Sequence, residues 1–144
     1  MAFNIRVYGI LINSNHEVLL SDERRFGKEF TKFPGGGLEL GEGIKDCLIR
    51  EFQEELDLEI EVKELIYLTD FYQKSAFHKD DQIISVYYDV SAEKDKIDLI
   101  KTKEIPFDFE EDAIESHRWK GLKELNEEDV TFPIDKLVIG LLEN

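Results

Sequence analysis

Apolar and polar positions along the chain fall into blocks with two different periods. Phe3 to Ile12 is rich in β-branched and aromatic residues and predicts a strand. Asn13 to Asn15 reads as a turn, Glu17 to Ser21 as the returning strand, and the charged stretch Ser21 to Lys32 as a loop. Phe33 to Gly43 holds five glycines in eleven residues and is expected to be irregular. Ile44 to Leu56 then has no Gly or Pro. Its apolar residues Ile44, Leu48, Phe52 and Leu56 recur at helical spacing. Ile60 and Val62 alternate with charged residues as in a strand with one wet face, and Leu65 to Tyr72 continues as β. Gln82 to Val90 alternates more clearly: Ile84, Val86, Tyr88 and Val90 face one way, Ser85, Tyr87 and Asp89 the other. Glu104 to Glu115 carries six acids and no base and is expected to be a mobile loop. Glu115 to Lys120 reads as a short strand. Ile134, Leu137, Val138, Leu141 and Leu142 form a helical stripe that Pro133 is placed to start. The expected fold is α+β or an α/β/α sandwich, a mixed sheet between a central and a terminal helix. No linker or repeat divides residues 1–144, so a single domain is expected.

Charge narrows the function. Thirty-three Asp and Glu against 18 Lys and Arg give a net charge of −15. No basic stripe is present to neutralise phosphates, so neither a nucleic-acid polymer nor an anionic membrane is an expected partner. A phosphate-bearing substrate would need a metal to offset the repulsion. The lone cysteine, Cys47, gives no internal disulfide, and it is expected to pack in the core. The first residues do not resemble a signal peptide, and no apolar run approaches the roughly 20 residues that cross a bilayer. The expected location is the cytoplasm.

The helix 44–56 carries the candidate chemistry. At 100° per residue from Ile44, Leu48, Phe52 and Leu56 span roughly 40° to 120°. Glu51 and Glu55 fall beside that stripe and Glu54 next to them, while Arg50, Gln53, Asp46 and Asp57 point to water. The like-charged pairs Glu51/Glu55 and Glu51/Glu54 each cost about 0.2–0.5 kcal/mol even when exposed, and more beside a core. A divalent cation removes that conflict. The glycine run in front of the helix lets backbone approach a ligand closely.

From Gly36 the chain runs five residues to Glu42, then seven to Arg50-Glu51-Phe52-Gln53-Glu54-Glu55-Leu56-Asp57-Leu58. This resembles the Nudix box, the signature of the Nudix (MutT-like) hydrolases, and Phe33-Pro34-Gly35 and Glu39 fit the family's usual run. Two positions depart from it. Asp57 stands where the family has Gly, a place that favours a left-handed backbone Asp tolerates, and Phe52 replaces a smaller aliphatic. The resemblance implies that Glu51, Glu54, Glu55 and the Gly36 carbonyl hold Mg²⁺, with Mn²⁺ as the alternative, and that Arg50 orients a carboxylate. It implies hydrolysis of a diphosphate bond in a small nucleotide-type substrate (an NTP, dinucleotide or nucleotide sugar), with a homodimer as a candidate assembly. Family members use either a box glutamate or a distant acid as base. Glu51 and Glu54 are therefore candidates, as are Glu111 and Asp112 among the acids of 110–115. Arg6, Arg24, Arg25 and Lys28 are candidates for phosphate contacts, and Phe71, Tyr72 and Tyr87 for stacking on a base. The chain has no proline between Pro34 and Pro106, where ADP-sugar members tend to carry one. The competing reading is a Nudix-fold module that senses a nucleotide without cleaving it. A Ca²⁺ hand is disfavoured because its acids lie on a loop. An isoprenoid diphosphate isomerase of this fold would place its cysteine differently.

Overall fold

The computed structural model describes residues 1–142. Its elements run β1 (Phe3–Leu11), β2 (Glu17–Arg25), β3 (Lys28–Lys32), β4 (Gly35–Gly37), α1 (Ile44–Leu56), β5 (Glu61–Leu68), β6 (Gln82–Ser91), α2 (Lys94–Ile97), β7 (Glu115–Gly121) and α3 (Pro133–Leu142), with a 3₁₀ turn at Glu127–Asp129. The expected mixed sheet has the order β4-β1-β6-β5, in which β1 and β6 are parallel and the other pairs antiparallel. A second, antiparallel sheet, β3-β2-β7, joins it.

Alternation along β1 and β6 splits the core in two. Tyr8 and Ile10 with Tyr87 face one side, where Ile134, Val138 and Ile139 of α3 cover them. Val7, Leu11 and Val90 face the other, where Cys47, Leu48 and Phe52 of α1 pack. The two helices therefore lie on opposite faces of the four-stranded sheet, an α/β/α arrangement. Cys47 is fully buried, as ordinary packing requires.

Three expectations change. Ser21 to Lys32 is no loop: β2 continues to Arg25 and turns at Phe26-Gly27 into β3. Both turn residues have positive φ, 54° and 73°, which matches a two-residue hairpin turn to the twist of its strands. The segment reads as loop because Asp22, Glu23 and Lys32 are charged, yet all three are buried and paired. Within the glycine run, Gly35–Gly37 forms a short edge strand, with Gly36 opposite Val7. Strand β5 stops at Leu68, not Tyr72, and the short helix α2 carries no periodic signal long enough to reveal it.

Helix α1 has the bounds its sequence predicts. It ends at Asp57 with φ 50°, in the left-handed region, where the backbone N–H donates to the Gln53 carbonyl at 3.1 Å. Gln53 Nε2 donates to Asp57 Oδ1 at 2.7 Å, so the side chain also secures this end.

Candidate active site

Arg50 organises the acids of α1 and the loop before it. Its Nε and Nη2 donate to the two oxygens of Glu42 at 2.9 and 2.7 Å, a forked pair. Nη2 also donates to the Gly37 carbonyl at 3.2 Å, and Nη1 reaches Glu54 at 3.3 Å and Glu51 at 3.6 Å. The helical wheel places Arg50 in water. The structure turns it back over the loop, because its long side chain finds Glu42 and Gly37 there. These hydrogen bonds raise the Arg50 pKa and hold the Glu42 carboxyl down at about 2.

Glu51 and Glu55 border a cavity of about 440 Å³. A Cβ on Gly36 would overlap the Glu51 carboxylate, so only glycine admits this approach of backbone to acid. Burial raises the pKa of Glu51, and it pushes Glu55 up to about 8. Glu55 Oε2 is buried without a hydrogen-bond partner. Oxygen donors crowded together, one of them orphaned, with bare backbone facing another, suit a hard divalent cation. The residues present therefore fit the ion the box implies. Glu54 is more exposed, stands outside the cavity lining and is tied to the others through Arg50.

The cavity's other walls come from β1, β6, the β2–β3 hairpin, residues 73–78 and the start of α3. Arg6 and Arg25 line it; Arg6 donates to Tyr8 Oη at 3.1 Å, and Arg25 pairs with Glu23 at 2.9 Å. Tyr87 is fully buried at its floor and donates to Asp135 Oδ1 at 2.5 Å. Phe30, Phe77 and Phe132 form an aromatic wall with ring centroids 5.2 to 5.8 Å apart. Other sequence candidates lie elsewhere. Arg24 donates to the Ala113 carbonyl at 2.8 Å and stacks over Phe109, anchoring the acidic segment. Glu111 and Asp112 are exposed outside the cavity lining, and so are Phe71 and Tyr72. Lys28 lies over the Phe77 ring.

Lys32, Glu23, His117 and Asp135, in or beside this site, carry no motif in the sequence. Lys32, buried, pairs with Glu23 at 2.7 Å and donates to the Gly35 carbonyl at 3.3 Å. His117 is buried on β7, and burial lowers its pKa to about 4, so it is neutral near pH 7. Asp135 is fully enclosed, and burial pushes it up to about 6 against the opposing hydrogen bond from Tyr87. Its only signal is a charged residue one turn from Val138 and Ile139 in an apolar helix.

The raised Asp135 value has a definite sign. Between about pH 4 and 6 the native carboxyl binds a proton that the unfolded chain does not, so this contribution is complete below about pH 4 and lost as pH rises through 6. Wild-type protein is expected to lose unfolding free energy relative to Asp135→Asn between about pH 4 and pH 7, measured by urea denaturation. His117 acts with the opposite sign but in both proteins, and cancels from the difference. Parallel curves for the two would refute the assignment.

The sequence pattern of the NUDIX domain matches residues 2–139. Among solved structures, a MutT NUDIX hydrolase from Burkholderia pseudomallei superposes with TM-score 0.68 at 16% identity, covering 96% of this chain and 97% of that one. A MutT protein from Methanosarcina mazei Go1 gives 0.65 at 17%, covering 98% and 93%. A Streptococcus suis protein described as an ADP-ribose pyrophosphatase gives 0.61 at 15%, covering 96% and 88%. These likenesses establish the shared fold, and the domain match spans nearly the whole chain. The protein therefore belongs to the NUDIX domain family, a family of pyrophosphohydrolases.

Proposed function

We propose that this protein hydrolyses a diphosphate bridge in a nucleoside diphosphate linked to a further group, with Mg²⁺ held by Glu51, Glu54, Glu55 and the Gly36 carbonyl, or Mn²⁺ in its place. The observation that carries this reading is one cavity bordered by Glu51, Glu55, Arg6 and Arg25 and walled on another side by Phe30, Phe77 and Phe132. Acids that suit a cation, cations that suit phosphate and rings that suit a base thus share one space. The bound ion would offset phosphate charge and make hydroxide available near neutral pH.

The chain's own residues supply the rest. Arg50 holds Glu54 and Glu51 in register with the loop. Arg6 and Arg25 meet the phosphate oxygens, and the phenylalanine wall receives the base. A general base must come within hydrogen-bond reach of the attacking water. Glu51 borders the cavity whereas Glu111 and Asp112 lie outside it, so we assign proton acceptance to Glu51. No helix among the described residues is long and apolar enough to cross a membrane, and we place the protein in the cytoplasm.

The test is a panel of NTPs, dinucleotides and nucleotide sugars with purified protein and Mg²⁺. At least one class should release a nucleoside monophosphate, and chelation should abolish the release. Nucleotide binding with no metal-dependent cleavage of any member would favour the sensing module instead.

A further inference from the structure

On one face of the three-stranded sheet, two mostly polar rows follow the apolar pair Leu19 and Trp119. Register places Lys32, Ser21 and His117 in one row, and Phe30, Glu23 and Glu115 in the next. Glu23 and Glu115 are thus like charges directly opposite each other, an arrangement that destabilises a sheet unless a cation lies close. Lys32 pairs with Glu23 at 2.7 Å, donates to the Phe33 and Gly35 carbonyls and lies over the Tyr8 ring, and its charge also acts on Glu55. Glu115 is left with Arg25 at 3.9 Å, at the outer limit of an ion pair.

Glu55 descends from α1 onto this surface. Glu55, Glu115 and His117 each bring a ligand atom within 4.8 Å of the other two. His117 is 6% exposed, and its Nε2 has no hydrogen-bond partner; Glu55 Oε2 lacks one as well. Leaving a polar atom buried and unsatisfied costs about 1–3 kcal/mol. Two such atoms in one cluster point to a missing shared partner, and a metal ion bonds to both a carboxylate oxygen and an imidazole nitrogen.

We propose that Glu55, Glu115 and His117 form a mixed nitrogen–oxygen site for a divalent transition metal, typified by Zn²⁺, between α1 and β7. Imidazole suits zinc, copper, iron and nickel, whereas all-oxygen sites suit magnesium. Two carboxylates and one histidine give the three protein ligands of a zinc site with an open fourth position. The proposal rests on the hydrolytic reading only in sharing Glu55, and its test needs no turnover.

Histidine-selective long-range ¹H–¹⁵N NMR on the full chain provides that test, because the chain has only His16, His78 and His117. One equivalent of ZnCl₂ added to chelator-stripped protein should move a ring nitrogen of His117 to the metal-bound range and leave His16 and His78 in place. Tenfold MgCl₂ should not. Glu115→Gln should weaken Zn²⁺ at least ~10-fold in competition with a chromophoric chelator. An unmoved His117 with Zn²⁺, or shifts confined to His16 and His78, overturns the site while leaving Mg²⁺-dependent hydrolysis standing. A metal-bound His117 with no nucleotide cleaved supports the site and counts against the hydrolytic reading.

Discussion

Glu54→Gln is expected to lower kcat by at least ~10²-fold with little change in stability, the scale for removing a metal ligand or general base. The separation of the two effects follows from where Glu54 sits. Its side chain is 59% exposed and its protein partner is Arg50, at 3.3 Å. Gln can still accept that hydrogen bond, and removing an exposed charge changes unfolding free energy by no more than about 0.5 kcal/mol. The isosteric amide removes only the negative charge offered to the ion. Steady-state kinetics over a range of Mg²⁺ concentrations, with a urea melt of the same sample, reads both quantities. Turnover within a few-fold of the parent would show that the ion is not held by this edge of α1.

Lys32→Met is expected to destabilise the fold by about 3 kcal/mol, near the lower end for breaking one side of a buried ion pair. Lys32 and Glu23 have side-chain exposures of 4% and 3%, and they sit 2.7 Å apart. Methionine fills similar space but leaves the Glu23 carboxylate enclosed, with Arg25 as its one paired cation and the Ser21 hydroxyl as its other donor. Arg25 is half-exposed, which keeps the loss from being larger. The control is the double variant Glu23→Gln with Lys32→Met. Removing both charges should recover much of the loss, since the cost lies in the orphaned charge more than in the missing attraction. If the single variant melts with wild type, solvent reaches Glu23 and the pair is not truly buried.

The contrast between these residues marks what the sequence makes legible. Helix α1 was readable to the residue, because thirteen positions without Gly or Pro carry an uninterrupted stripe and the acids beside it are set by the same 100° step. The box resemblance singles out Glu51, Glu55 and Gly36, which the fold brings to one cavity edge. The second half of β2 and all of β3 were not readable, because Asp22, Glu23 and Lys32 look solvated until their partners are known. Those partners are 9 to 96 residues away, at Thr31, Lys32 and Arg118. A helical wheel could not place Arg50, since it gives a direction from the axis and not the loop that folds over it. Arg24 and Arg25 are neighbours in sequence, but successive strand residues point to opposite faces, and only Arg25 lines the cavity. His117 and Asp135 each lack a neighbouring motif and acquire their surroundings from tertiary packing.

The parallel pairing of β1 with β6 also governs how the molecule assembles. Phe3 lies opposite Gln82 and Leu11 opposite Val90, so each of these contacts closes a loop of 79 residues. Closing loops of that length costs chain entropy before any pairing rewards it, and domains dominated by such contacts fold in milliseconds to seconds rather than microseconds. On a ribosome, the first strand waits with exposed Val7, Ile10 and Leu11 until residue 91 has emerged. Helix α1 is synthesised well before the sheet that receives it, and the cavity's walls close only when the last helix docks.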